Sequence, residues 1–260
     1  MKLQDFKKKR LPNTPGVYIF VGAQKKRLYI GKATSLRSRV RSYFDKDVKE
    51  TRGSHIVGMV EKAKTINFIE TDSVLEAIIL EVNLIKKHKP HYNTKEKDDK
   101  SFNYVVITKE EYPRVLLVRA RELLGGPTPK SKYEVKYTFG PFPQGTLLKD
   151  ALKIIRKIFP FRDKCLPVSG KPCFNQQIKL CPGVCMGTTS KKKYAQTIQH
   201  LKLFFEGKKG QLIKTLEKEM RNMAKNLEFE KAEEIKKTIF SWGKTDVAYI
   251  KRKEISLFFF

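Results

Sequence analysis

Six residues in the first hundred combine side-chain types that could act together on a phosphodiester: Tyr18, Tyr29, Lys32, Arg39, Tyr43 and Glu81. Hydrolysis of that bond needs an activated water, cations to hold the phosphate charge and something to stabilise the leaving oxygen, commonly a metal ion. A free tyrosine has a pKa of about 10. A lysine and an arginine nearby favour its ionised form, which makes Tyr29 a candidate general base. Gly31, two residues after it, leaves room for a backbone or a substrate to come close. The competing reading of any strand tyrosine is core packing with the hydroxyl at the rim.

The elements that must position these groups are legible around them. Val17–Val21 and Arg27–Ile30 are two short β-type runs joined by a hairpin loop at Gly22–Lys26. A helix follows, capped by Thr34 or Ser35, with Leu36, Val40, Tyr43 and Phe44 on one face. On that helix Arg39 falls beside Tyr43, whereas Arg37 and Arg41 point away and suit phosphate contacts outside the site. Residues 66–70 form a further strand. A second helix spans 73–87, starts at Asp72 or Ser73 and is stopped by Pro90. Its wheel is mostly apolar, with Glu76, Asn83 and Lys87 in a polar wedge at roughly 80–120° from Leu75. Glu81 falls at roughly 240°, inside the apolar sector. A bare carboxylate there is costly, so Glu81 is either paired with an arginine or bound to a metal.

The rest of the chain divides in two. Residues 101–190 begin with strands at 103–107 and 114–118, pass through a Gly125–Pro129 loop and a helix at 146–158, and reach a loop region at 163–187 that holds all four cysteines. Cys165, Cys173, Cys181 and Cys185 fall within 21 residues. Four thiolates on Pro/Gly-rich loops form a metal set. The paired CxxC of zinc ribbons is absent, so zinc is possible but not favoured, and four cysteines also suit a [4Fe–4S] cluster. Residues 194–242 are helical throughout, with Lys191–Lys193 as the linker into them. Two amphipathic helices joined near Asn226–Glu228 make a hairpin too small to bury its own apolar stripe.

Composition sets the partner class. The 260 residues hold 55 Lys and Arg against 27 Asp and Glu, a net charge of +28. Such an excess calls for a polyanion, and nucleic acid is the usual one. Residues 1–110 carry net +11, residues 111–200 net +12 and the remainder net +5, so the nucleic-acid footprint covers the first two segments. No apolar run approaches the roughly 18 residues of a spanning helix. Met1–Arg10 lacks the apolar region of a secretory signal, and sparse cysteines fit a reducing cytoplasm.

Several of these motifs stand in a known family order. Gly16-Val17-Tyr18, Tyr29-Ile30-Gly31-Lys32, Leu36-Arg37-Ser38-Arg39 and Tyr43 resemble the GIY-YIG nucleases, with Val17 in place of the usual Ile. Leu80-Glu81-Val82-Asn83-Leu84-Ile85-Lys86-Lys87-His88-Lys89-Pro90-His91-Tyr92-Asn93 is similar to the amino-terminal nuclease domain of the UvrC family, the incising component of the bacterial excinuclease. Phe139-Gly140-Pro141-Phe142, Ile158-Phe159-Pro160-Phe161-Arg162 and the cysteines continue that resemblance. Leu227-Glu228-Phe229-Glu230-Lys231-Ala232 resembles the UVR motif through which UvrB and UvrC proteins associate.

The resemblance implies an α/β fold in three parts. These are a GIY-YIG domain over 11–100, with a small antiparallel or mixed sheet flanked by helices; a Cys-rich α+β domain over 101–190; and a UVR-like helical hairpin over 194–242. It implies Tyr29 as the base, Lys32, Tyr18 and Tyr43 in its hydroxyl network, Arg39 on the phosphate, Mg²⁺ or Mn²⁺ on Glu81, and Asn93 at the site edge. The four cysteines would hold a [4Fe–4S] cluster. Leu227, Phe229 and Ala232 would meet a UvrB-like subunit, and the substrate would be damaged double-stranded DNA, cut 3′ to the lesion. The family's chains usually continue into a second nuclease and a helix–hairpin–helix region, which these 260 residues do not reach before the apolar tail Ile255–Phe260. A UvrB-independent structure-specific GIY-YIG nuclease and a non-catalytic DNA-binding adaptor are the alternatives. The hairpin argues against the first and the complete Tyr/Lys/Arg/Glu set against the second.

Overall fold

A computed structural model describes residues 10–45, 47–94, 102–123 and 134–243. The Gly125–Pro129 loop and the Ile255–Phe260 tail lie outside the described residues. The described chain falls into two units, 10–94 and 102–242.

In the first unit, β1 (Gly16–Val21) is the centre of an antiparallel three-stranded sheet, between β2 (Arg27–Ala33) and β3 (Thr65–Glu70). All six residues of β1 are buried. Its apolar sequence requires covering layers on both faces, because alternate side chains point to opposite sides. Tyr18 and Phe20 pack into a core with Leu36, Val40, Tyr43, Met59 and Ile66. These come from α1 (Leu36–Arg41), the turn after it, α2 (Val48–Lys62) and β3. Val17, Ile19 and Val21 pack on the other face against Ala77, Leu80 and Leu84 of α3 (Val74–His88). The short α4 (His91–Thr94) ends the described part of this unit.

Local chemistry sets the helix ends. Ser35 caps α1 by accepting from Ser38 N. Ser73 caps α3 by accepting from Glu76 N at 3.2 Å, and Glu76 reaches back to Asp72 N at 3.3 Å. Glu76 thus ties the first turn of α3 to the residue before its cap, a more specific place than the polar wedge expected of it. Lys89 closes α3 in the left-handed conformation, donating its N–H to Ile85 O at 2.8 Å, and Pro90 follows.

The second unit has a sheet of β4 (Asn103–Thr108) between β5 (Val115–Arg119) and β6 (Val135–Phe142), all antiparallel. After β5 comes the single turn α5 (Ala120–Leu123), and after β6 the amphipathic α6 (Gly145–Ile158). The cysteine region follows, with one short helix, α7 (Phe174–Gln177). Three helices complete the unit: α8 (Lys191–Phe205), α9 (Lys209–Lys225) and α10 (Phe229–Gly243).

Two departures from expectation have clear causes. Lys191–Lys193 are not a linker but the first turn of α8, because Ser190 caps the helix by accepting from Lys193 N. That helix then buries Tyr194, Ile198, Leu201 and Phe205, the last stacked on Phe139 of β6 at 5.1 Å. Helix α2 is not expected from sequence because Gly53, at φ 80°, interrupts its periodicity.

Gly31 pairs with Tyr18 across β1 and β2. A Cβ there would lie 2.3 Å from the Tyr18 hydroxyl and 2.4 Å from Cζ. The room that glycine provides is therefore taken by the tyrosine ring, not by substrate. Gly31→Ala should cost about 2–3 kcal/mol through overpacking, measured by chemical denaturation, and an unchanged stability would show that Tyr18 is not confined there.

Candidate active site and thiol cluster

The tyrosines named from sequence meet on one face of the first sheet. Tyr18 and Tyr43 are buried and their hydroxyls lie 2.7 Å apart. Tyr29 is half-buried, with its ring 6.2 Å from those of both Tyr18 and Tyr43. Phe20 packs edge-on against all three. Burial is the main cause that pushes all three hydroxyls above the ordinary tyrosine range, and a neighbouring tyrosine raises each further. For Tyr29 the Glu81 carboxylate adds to the rise while Arg39 opposes it. Tyr29 thus holds its proton at neutral pH, contrary to the shift expected from its basic neighbours, because desolvation outweighs them.

Glu81 and Asn93 meet the outer edge of β2. The Glu81 Oε1 accepts from Lys32 N at 2.9 Å. Asn93 imitates a neighbouring strand, accepting from Ile30 N at 2.8 Å and donating to Ile30 O at 2.7 Å. Edge strands present such groups unpaired unless something covers them. The half-buried Glu81 is therefore positioned by a backbone amide close to Tyr29 and Lys32.

The arginines divide by role. Arg39 is exposed, with its guanidinium 6.0 Å from the Tyr43 ring centre and within hydrogen-bonding reach of Tyr18. Arg37, assigned from sequence to phosphate contacts, donates from Nε to Leu11 O at 2.9 Å and so secures the chain entering the sheet. Sequence inspection misses Arg52. It lies 4.2 Å over the Tyr43 ring and donates to Ser42 Oγ at 2.6 Å, and no apolar repeat in α2 marks it in the sequence.

In the second unit the four cysteine sulfurs all lie within 4.8 Å of one another. Cys181 and Cys185 are buried, Cys165 and Cys173 half-buried. Burial, then the Cys181 and Cys173 sulfurs, push the Cys165 thiol well up. Four such thiols lose their protons together only where a cation takes up the charge. Two arginines hold the loops, and sequence inspection assigns a role to neither. Buried Arg162 donates to Cys165 O, Tyr112 O and Glu110 Oε2, while its own N–H donates to the Tyr194 hydroxyl. Arg156 donates to Leu180 O, Phe161 O and Asp163 Oδ2.

On the helical hairpin, Leu227 and Phe229 are 75% and 62% exposed at the turn, whereas Ala232 is buried. Of the three, only Leu227 and Phe229 present apolar surface.

Comparison with known proteins matches most of the chain to three family models. Residues 14–94 match the UvrC-like GIY-YIG domain, 102–204 the UvrC/Cho excinuclease middle domain and 210–241 the UvrB/uvrC motif. The chain is 40% identical over 234 residues to the UvrABC system protein C of Desulforudis audaxviator, covering 88% of this chain and 36% of that protein. It is likewise 40% identical over 242 residues to the Carboxydothermus hydrogenoformans protein of that name, covering 92% and 38%. The chain belongs to the UvrC family. It spans a little over a third of the length of these curated relatives. Among solved structures, the GIY-YIG N-terminal endonuclease domain of UvrC from Thermotoga maritima, bound to magnesium, is 38% identical. That match covers 36% of this chain and all of that one, with a TM-score of 0.32. No helix among the described residues of this UvrC-family chain is long and apolar enough to cross a membrane.

The Arg162 contacts generate a stability prediction. Arg162→Met should cost about 1–3 kcal/mol for each carbonyl it leaves without a donor, those of Cys165 and Tyr112, while Glu110 keeps Arg114. The same network ties stability to pH. Burial works to raise Glu110 and Asp163, but hydrogen bonds, chiefly from Thr108 and the arginines, hold both carboxyls below the usual range. Their contribution is present above about pH 4 and lost as pH falls below it. Denaturant unfolding at graded pH should show that loss. An Asp163→Asn protein as pH-sensitive as the parent would contradict it.

Proposed function

We propose that this chain is a metal-dependent DNA endonuclease of nucleotide excision repair, hydrolysing a phosphodiester on the 3′ side of a lesion within a UvrABC-type system. The observation that carries this reading is the placement of Glu81. A half-buried carboxylate, fixed by the Lys32 amide, lies next to Tyr29 with Lys32 and Arg39 close by. A single carboxylate completed by waters and substrate phosphate suits Mg²⁺ or Mn²⁺, so the donor set fits. Bound there, the cation supplies Lewis-acid stabilisation of phosphate charge.

The protein groups have separable tasks in this reading. Tyr29 accepts a proton from the attacking water. Its raised pKa makes the phenolate a strong acceptor though a scarce one, and Arg39 is the group that opposes the rise. Tyr18 and Tyr43 hold the hydroxyl network through their mutual bond. Lys32 and Arg39 take phosphate charge, and Asn93 keeps the β2 backbone in place at the site edge. The domains proposed are the nuclease over 11–100, the Cys-rich domain over 101–190 and a UVR hairpin within 194–242.

For the cysteines we propose a thiolate-bound metal centre, with a [4Fe–4S] cluster ranked first on the family resemblance. One observation favours zinc instead. Four thiolates about 2.3 Å from one tetrahedral ion sit about 3.8 Å apart, near the observed crowding within 4.8 Å. A cluster interposes its own iron and sulfide and needs a wider ring. Iron, sulfide and zinc analysis of the purified protein decides between them. The reduced thiols and the repair role together favour the cytoplasm.

Two predictions test the assignment. Glu81→Gln keeps the acceptor for Lys32 N but loses the charge, so it should abolish incision of a lesion-bearing duplex, assayed with the UvrA- and UvrB-type subunits, while DNA binding persists. Glu76→Ala should leave cutting intact and cost about 0.5–1.5 kcal/mol of stability through the lost bond to Asp72 N, the Ser73 cap being kept. Full activity in the Gln variant would remove Glu81 from the site.

For partner docking, Phe229 is the aromatic anchor. Phe229→Ala should weaken UvrB-type subunit binding by about 2–4 kcal/mol and barely move the melting temperature, since the ring is already exposed. Lost stability with unchanged partner affinity would make the residue part of a helical cap instead.

A further inference from the structure

The first unit carries a cleft of about 370 Å³ whose lining includes none of the tyrosines. Lys25 and Lys26 line it from the β1–β2 connection, Arg27 from the start of β2, and His88, Lys89 and His91 from the end of α3 and the start of α4. Among the described residues, no carboxylate lines it. Cations gathered around one concavity focus a positive field. The His88 imidazole is held below its ordinary range first by desolvation, with the charges of Arg27 and Lys87 adding to it.

Two of these lysines share a backbone conformation. Lys25 and Lys89 have φ of 58° and 42°, the left-handed region that favours glycine. Lys89 occupies the cap position at the end of α3, where glycine is the common residue. Uncharged Gln24 is left-handed too, at φ 52°, so the conformation belongs to the turn; what the two lysines share is that they line one cleft from two separate elements. Complementing the carbonyl end of α3 would explain Lys89 but not Lys25, which belongs to the other wall.

We infer that this cleft binds backbone phosphate of the DNA strand, as a subsite separate from the reacting centre. The inference deepens the nuclease reading and rests on it for the identity of the polyanion. Strand β2 links the two places: Arg27 lines the cleft and Tyr29 lies two residues further along the same strand. Two residues of strand span about 7 Å, or about two nucleotide rises. The cleft would thus hold the strand close to the phosphate being cut and set its register.

The test is a binding measurement made without divalent cation, so that no cutting intervenes. Lys25→Gly and Lys89→Gly, singly and together, remove the charges while giving each backbone its favoured residue, and the thermal midpoint checks that folding is kept. Affinity for a labelled duplex is followed by anisotropy across a salt series. The slope of log affinity against log salt should shrink by about 1 for each phosphate that the variant no longer neutralises. One uncharged methylphosphonate in the duplex, moved position by position, should weaken the parent protein at a site that the double variant no longer senses. An unchanged slope in a folded double variant overturns the inference. So does loss of inorganic phosphate binding alone, which would make the cleft a site for the free ion. A protein that shows the cleft-dependent slope yet cuts no DNA would refute the nuclease reading and leave the cleft assignment standing.

Discussion

The Tyr18 hydroxyl lies 2.3 Å from where any side chain on residue 31 would begin, and that steric constraint organises the first unit. Tyr18 belongs to the central strand of a sheet covered on both faces, so its ring is committed to the interior and its hydroxyl must find a partner there. The partner is Tyr43, which lies just beyond a helix of six residues, α1. Placing Tyr43 in turn fixes where that helix presents Arg39 and where Arg52 of α2 can stack. A glycine on β2 thereby decides the arrangement of side chains on three other elements. The candidate site is not attached to the core; its tyrosines are the core.

The opposite wall depends on a different necessity. β2 is an edge strand, and its outward amides require partners. Glu81 and Asn93 satisfy Lys32 N and both backbone groups of Ile30. The residues proposed for metal binding and for the site edge thus also complete the sheet. This double duty explains why a carboxylate can sit half-buried in an apolar helix face: a charge that accepts a backbone hydrogen bond loses less on leaving water. It also gives charge-neutral replacement of Glu81 a meaning that truncation to alanine would lack.

Much of this arrangement is legible in the amino-acid sequence alone. The helical wheel puts Glu81 and Glu76 on different sides of α3, and they do meet different partners, Lys32 N and Asp72 N; the two strands around Gly22–Lys26 follow from their apolar runs. What escapes is non-periodic or non-local. Helix α2 is interrupted by Gly53. β6 alternates Val135, Tyr137 and Phe139, a strand signal overshadowed by the Gly140-Pro141 motif beside it. Lys191–Lys193 resemble a linker by charge, although Ser190 before them is a helix cap. The direction of the Tyr29 pKa shift is hidden because basic neighbours can be counted in a sequence and burial cannot.

The second unit meets the opposite difficulty, since its cysteine region has almost no regular structure to hold it. Between Phe159 and Ser190 the backbone forms only one four-residue helix and a short turn. Carbonyls in such a loop need donors from outside, and Arg156 and Arg162 provide them with forked guanidinium groups that reach several acceptors at once. The sulfurs converge where these struts hold the chain, with Cys165 O itself bound by Arg162. A thiolate-bound cation there would act as a cross-link for loops that an apolar core cannot stabilise. Arg162 also reaches β5 through Val115 N, which donates to its carbonyl, and α8 through Tyr194. Disturbing the thiol centre should therefore be felt in the sheet and in α8, and through the His200–Glu219 contact in α9. The exposed turn of the hairpin, where Leu227 and Phe229 face solvent, lies beyond that chain of contacts.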